Sequence, residues 1–340
     1  MAILSASNIA LSALQVADQV AAMSTNNIAN ANTPGFHRLI ENNTELGFNS
    51  GVKTNISQKK DQYLESSLNA AQNSFSESLA LKEGLKQLDD TLSNTDVTTA
   101  YDNFLSSNQQ LLLNPNDPVR QKDFDIKGNA FTDSLKNLAQ AFNQIQKQIQ
   151  QKLDLNSIEL QSVKAELSRL AAKPMDDATS NQISALETRL QSLTGSVSGY
   201  NKLLSSIIPP IVGQYFDARD TITQDINNKY GKQLIDASGN WNYTPGGNNV
   251  DLASFDNGSF IEKMGTLLTS VGAQNSNNDL TNNSQENILD SLKIQAQQSY
   301  GVNFVDETIK IQEYQKVYQA ATMVIKAENE MIGSLLNAIA

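Results

Sequence analysis

The stretch that decides the fold is STNNIANANTPGFHR, Ser24 to Arg38. Asparagine and threonine are weak helix formers. Yet they crowd the end of a segment, Leu4 to Met23, that otherwise reads as one helix. Side-chain amides at Asn26, Asn27, Asn30 and Asn32 can cap a helix end or bond to backbone, and Thr33-Pro34-Gly35 turns the chain out of it. The stretch is a helix terminus with a built-in exit.

The helix before it carries a stripe. Leu4, Leu11, Leu14, Ala21, Thr25 and Ile28 follow steps of three and four, with Ser7 and Asp18 in the gaps. At the other end of the chain Ile311, Tyr314, Tyr318, Ala321, Ile325, Ile332, Leu335 and Ile339 do the same, and only Glu328 breaks the seam. Such spacing lines one face of a helix and suits coiled-coil packing. Stripes at both ends predict that the termini pair.

The interior is also mostly helical. Leu64 to Leu92 and Thr98 to Leu113 are periodic, and the second ends at NPNDP. A long helix is expected from about Pro118 to Ala172, broken at Pro174 because proline lacks the amide donor. The period resumes from Ile183 to Ile207, which predicts an antiparallel helical hairpin over 118–207. Another helix restarts after Pro209 and Pro210. Strand signals are confined to GFNSGVKTNISQ and to a Gly- and Asn-punctuated insert near 231–260. GAQNSNNDLTNNSQEN reads as a polar loop before one more helix. The fold class is mainly α, with small β-hairpin excursions.

Composition excludes several functions. The 340 residues carry a net charge of −11, the opposite of a nucleic-acid footprint. There is no cysteine, hence no disulfide framework or thiolate metal site. No apolar run approaches the ~20 residues of a membrane span, and MAILSASNIALSAL lacks the positive region of a cleaved signal. Taken alone this says cytoplasmic, and it leaves open export by a route that uses no cleaved signal. The one histidine, His37, has no second histidine to share a metal with and no Gly-x-Ser-x-Gly elbow to serve. DASGNWN, from Asp236, has its glycine too early for a calcium loop and reads as a turn. No enzyme and no cofactor is expected.

At this point the residues resemble a family. SNIALSALQVADQVAAMSTNNIANANTPGFHR is similar to the amino-terminal signature of flagellar axial proteins, the rod, hook and hook-associated subunits. SYGVNFVDETIKIQEYQKVYQAATMVIKAENEMIGSLLNAI resembles their carboxyl-terminal pattern, through Gly301, Val302, Asn303 and Glu307, then Tyr314, Gln315, Tyr318, Gln319 and Ala320. GVKTNISQKKDQYLESSLNAAQNSF and NFLSSNQQLLLNPNDPVRQ look like the helical body of the hook-associated protein 1 family, with Asn114 to Gln121 the most specific string. Little room remains between Gly231 and Ser284, so the chain looks like a reduced member without large outer domains.

The resemblance implies a structural role. Residues 1–45 and 298–340 would form an antiparallel coiled coil lining an axial tube, and 46–297 an elongated helical body. Leu4, Leu11, Leu14, Ile28, Tyr314, Tyr318, Ile325, Ile332 and Leu335 would pack subunits together. Asn26, Asn27, Asn30, Asn32, Thr33, Pro34, Gly35, Gly301, Val302 and Asn303 would carry the family motif. The implied partners are further copies in a ring-like axial assembly, the hook protein, the second hook-filament junction protein, and an export chaperone on the carboxyl-terminal helix. Neither nucleic acid nor membrane insertion is implied. The implied location is outside the cell at the hook-filament junction, reached by type III export. A rod or hook subunit is the nearest alternative, and a cytosolic helical scaffold the next.

Overall fold

The three-and-four spacing is realised as eight α-helices among the described residues: α1 (Ala2–Ala29), α2 (Gln62–Ser93), α3 (Val97–Leu113), α4 (Pro118–Ala171), α5 (Asp177–Lys202), α6 (Ile208–Tyr230), α7 (Gly258–Tyr300) and α8 (Phe304–Ile339). Strands β1 (Leu39–Glu45) and β2 (Val52–Gln58) pair antiparallel. The computed structural model describes the chain except residues 1, 34–35, 48–50, 60, 174–176, 231–233, 247–257 and 340, and the side chains of 2–5, 177–178, 180–181 and 339. The molecule is mainly α with one small hairpin.

Contacts divide the chain into two units. One comprises Met1–Ala71, Val163–Leu190 and Ile288–Ala340, so the terminal unit takes in more than the two end helices and β1. The other comprises Gln72–Ser162 and Gln191–Asn287.

The second unit holds the larger core. Leu85, Leu88 and Leu92 of α2 join Tyr101 and Phe104 of α3, Phe124, Phe131 and Phe142 of α4, Tyr215 and Tyr230 of α6, and Phe260 and Leu267 of α7. Rings meet edge-on or tilted at 4.9–5.3 Å between centroids, for example Tyr101–Phe260, Phe104–Phe124 and Phe124–Trp241. Trp241 enters from the segment after α6, held by the Ile235–Trp241 bridge, and lies flush against Gly128. The turn before it closes on Asp236, whose carboxylate accepts the backbone N–H groups of Ser238 and Asn240. This is the turn expected from DASGNWN. The NPNDP corner is a helix start as much as a stop. Asp117 accepts the Val119 N–H at 2.9 Å, and Pro118 occupies the first helical position, where no donor is needed.

Three expectations need correction. The polar stretch 272–287 is helical, the middle of the 43-residue α7. Its asparagines find partners on α2: Asn278 donates to the Ser78 carbonyl at 3.0 Å, Asn282 to the Ser78 hydroxyl at 3.0 Å, and Asn275 to Asp89 at 3.1 Å. Weak intrinsic propensity is overridden by a hydrogen-bonded helix seam. The prolines at 209 and 210 do not separate two helices. A single π-turn, Leu203–Ile207, joins α5 to α6, and both prolines fall in the first turn of α6. Finally, Leu39–Glu45 is a strand, although it lies inside the span 1–45 expected to be helical pair.

Candidate interaction surface

The asparagine-rich stretch is explained by what it bonds. Asn27 is fully buried. Its amide donates to the Leu39 carbonyl at 2.9 Å and its carbonyl accepts the Leu39 N–H at 2.8 Å, so the side chain acts as one more strand residue. This fixes how β1 leaves α1. Asn30 instead turns back on the helix, donating to Asn26 at its carbonyl and side chain. Thr33 donates to Asn30, and Asn32 is exposed. The hairpin then returns along α1. The Val52 N–H donates to the Ser12 hydroxyl at 3.3 Å, and Gly51 (φ 83°) comes so close that a Cβ there would fall 1.9 Å from that oxygen.

Behind this, α8 packs along α1. Tyr314 packs on Val16, Val20, Met23 and Leu39, and the start of α8 bonds to the segment just after α1, so the two helices run antiparallel. Asn303 caps α8 by accepting the Val305 N–H at 3.0 Å. Gly301 leaves no room for a Cβ, which would meet the Gln297 carbonyl at 2.1 Å, and Val302 is half-buried.

The inner face is not the stripe expected. On α1 the buried residues are Ala10, Val16, Ala17, Val20, Met23, Ser24 and Asn27, one position earlier than the leucine stripe. The buried positions 10, 17 and 24 carry small side chains, and the leucines fall beside them. Leu11 is 51% exposed, Leu14 and Ile28 are half-buried, and the Leu4 side chain lies outside the described residues, as do Pro34 and Gly35. On α8 the buried positions are Glu307, Ala321 and Glu328, and Thr308, Lys310, Ile311, Tyr314, Ile325 and Gly333 are partly covered. Four of them recur every seven residues. Glu328, which breaks the apolar stripe, is inside it, and its Oε2 has no hydrogen-bond partner among the described residues.

Several large apolar side chains of α8 face outward. Tyr318, Ile332 and Leu335 are 47%, 40% and 51% exposed, and Met323, Met331 and Leu336 are more than half exposed. Ala327, Glu330, Met331, Ser334 and Leu335 line a shallow groove on this face. Exposed apolar side chains of this kind are more typical of protein-association surfaces than of small-molecule pockets.

An ionic cluster ties the start of α8 to the segment after α1. Arg38 Nε lies 2.6 Å from Glu307 Oε1, and Glu307 is completely buried. Lys310 lies 2.6 Å from Glu41. His37 is 3.0 Å from Glu65 and stacks on Tyr300 at 4.5 Å. Burial, then the Glu65 and Asp61 carboxylates, push the Tyr300 phenol up to about 12. Sequence reading missed these pairs, because no local signal joins Arg38 to a carboxylate 269 positions away. Among the described residues no group of three or more His, Cys, Asp or Glu could hold a metal, and no helix is long and apolar enough to cross a membrane.

One comparison with known proteins falls on this unit. The family model described as "Flagella basal body rod protein" matches residues 8–37, which are α1 and its asparagine exit. The flagellar hook-associated protein 1 of Salmonella typhimurium is 30% identical over 118 residues. That of Salmonella typhi matches equally. The matches support a flagellar axial structural protein. They cover 35% of this chain and only 19% of the length of those relatives.

Proposed function

We propose that this axial protein is a hook-filament junction subunit of the hook-associated protein 1 type, a mechanical adaptor with no catalytic step. The observation that carries the reading is the α1–α8 pair with its apolar side left outward. Copies would form a ring-like assembly by covering that side, through Leu11, Tyr318, Ile332 and Leu335. Each is already about half covered, so full cover adds on the order of 1 kcal/mol per residue. The hook protein would adjoin one end of the ring and the second junction protein the other. An export chaperone would hold the same α8 stripe before type III export, leaving the assembled protein outside the cell.

The test is a deletion strain viewed by electron microscopy and complemented in trans. Hooks without filaments, restored by the wild-type chain but not by I332D/L335D, is the expected result. Loss of the hooks themselves would favour a rod subunit, the reading that the match at residues 8–37 raises. Recovery of the protein from the cytosol and not from sheared flagella would sink both.

A further inference from the structure

We propose that Arg38 is a latch on which docking of the whole carboxyl-terminal helix depends. Little else holds α8. Among the described residues its only buried apolar side chain is Ala321, and the other buried positions are the carboxylates Glu307 and Glu328. Ile311, Tyr314 and Ile325 are only half-covered. A helix so placed draws modest gain from apolar burial.

Glu307 makes the docking conditional. Its side chain has no exposed surface, Oε1 is bonded to Arg38, and Oε2 has no hydrogen-bond partner among the described residues. A buried carboxylate with its cation removed is an uncompensated charge, among the costliest single defects in a folded chain. Relief requires Glu307 to reach water. Because it lies in the first turn of α8, it does so by lifting that turn away, and the Lys310–Glu41 pair one turn on goes with it.

Arg38 itself is held independently of its side chain. Its N–H donates to the Tyr300 carbonyl at 3.1 Å, and its carbonyl accepts the Lys59 N–H at 2.8 Å. Its backbone is thus fixed to the end of α7 and to the segment after β2, while the guanidinium alone reaches α8. Side-chain loss therefore releases the helix without uprooting the segment. It acts as a positioning residue with two outcomes, latched and released.

The distinguishing signature is rescue. Removing the cation alone should be severe, whereas removing both charges should be nearly neutral, because a buried pair contributes little net stability over neutral partners of similar size. Hydrogen exchange on the full-length protein reads this directly. R38M should lower protection of amides in 304–339 by about a hundredfold or more, while Trp241 emission in the second unit stays unchanged. E307Q should lower it less than about tenfold, and R38M/E307Q should return to within about tenfold of wild type. Unchanged protection in R38M would overturn the proposal. So would a double variant as loose as R38M, or a wild-type α8 that exchanges like unstructured chain. If R38M proves insoluble, the comparison of E307Q with the double variant still decides, since both must keep α8 protected.

Discussion

Asn27 is the residue whose replacement tests the architecture of the terminal unit most sharply. N27L keeps the volume and removes both polar atoms. Two groups are then orphaned, the N–H and the C=O of Leu39, which Asn27 holds at 2.8 and 2.9 Å in a site where Asn27 itself has no exposed surface. An unsatisfied buried backbone group costs roughly 1–3 kcal/mol, so the pair sums to about 2–5 kcal/mol after the small gain from the leucine methyls. Asn30 supplies the control. It is half-exposed and donates only to Asn26 one turn back, so N30A should cost under about 1 kcal/mol. Exchange of amides in α1 and β1 is the assay, because a global melt mixes two units. At about tenfold per 1.4 kcal/mol, N27L should speed exchange there by roughly 30-fold or more. N30A should change it by less than about fivefold. Equal effects, or an N27L variant indistinguishable from wild type, would refute the claim that the asparagine side chain serves as backbone.

The remaining predictions use other sites. G128A places a methyl 2.2 Å from the Trp241 ring, so it should destabilise the second unit by about 1–2 kcal/mol and red-shift emission of the chain's one tryptophan. Tyr300 is raised from 10 to about 12, so its contribution is complete below pH 10 and is lost as pH rises through about 12; Y300F should remove that alkaline loss of protection around Leu64. Burial pushes the Glu83 carboxyl up, but hydrogen bonds from Lys152 and Tyr200 outweigh it and hold it below the usual value. Its contribution is present above pH 4.5 and lost as pH falls through the lowered value, so E83Q should lower the melting temperature at neutral pH, leave it almost unchanged in acid, and so shallow the acid limb of the profile.

Sequence period was enough for the helices because each must bury a stripe, and Leu85, Leu88 and Leu92 are legible as such. It failed where polar atoms, rather than apolar ones, choose the partner. Nothing local in GAQNSNNDLTNNSQEN says helix; Ser78 and Asp89, some two hundred positions earlier, make it one. The asparagine exit was legible as a turn-off from α1, since its residue types announce it. That Asn27 captures Leu39 was not, because the bond depends on where β1 runs. The seam was misplaced by one position for a similar reason. Leucine spacing marks the most apolar line, whereas close helix approach selects the smallest side chains, here Ala10, Ala17 and Ser24.

That displacement orders the energetics of the terminal pair. On α1 and α8 the residues Ser24, Asn27, Glu307 and Glu328 are nearly or fully buried, while Met323 and Leu336 stand 70% and 64% exposed outside. Buried polar groups recover at most about 1 kcal/mol each when bonded, and cost more than that when unpaired. Such a seam specifies register strongly and contributes little net stability. An outward apolar side chain, by contrast, gains on the order of 1 kcal/mol whenever a second surface covers it. The pair therefore encodes its geometry inside and its affinity outside. A subunit built this way meets its neighbours with α8 already in register, provided that Arg38 holds Glu307, and draws most of the helix's final stability from whatever then covers Met323, Ile332 and Leu335.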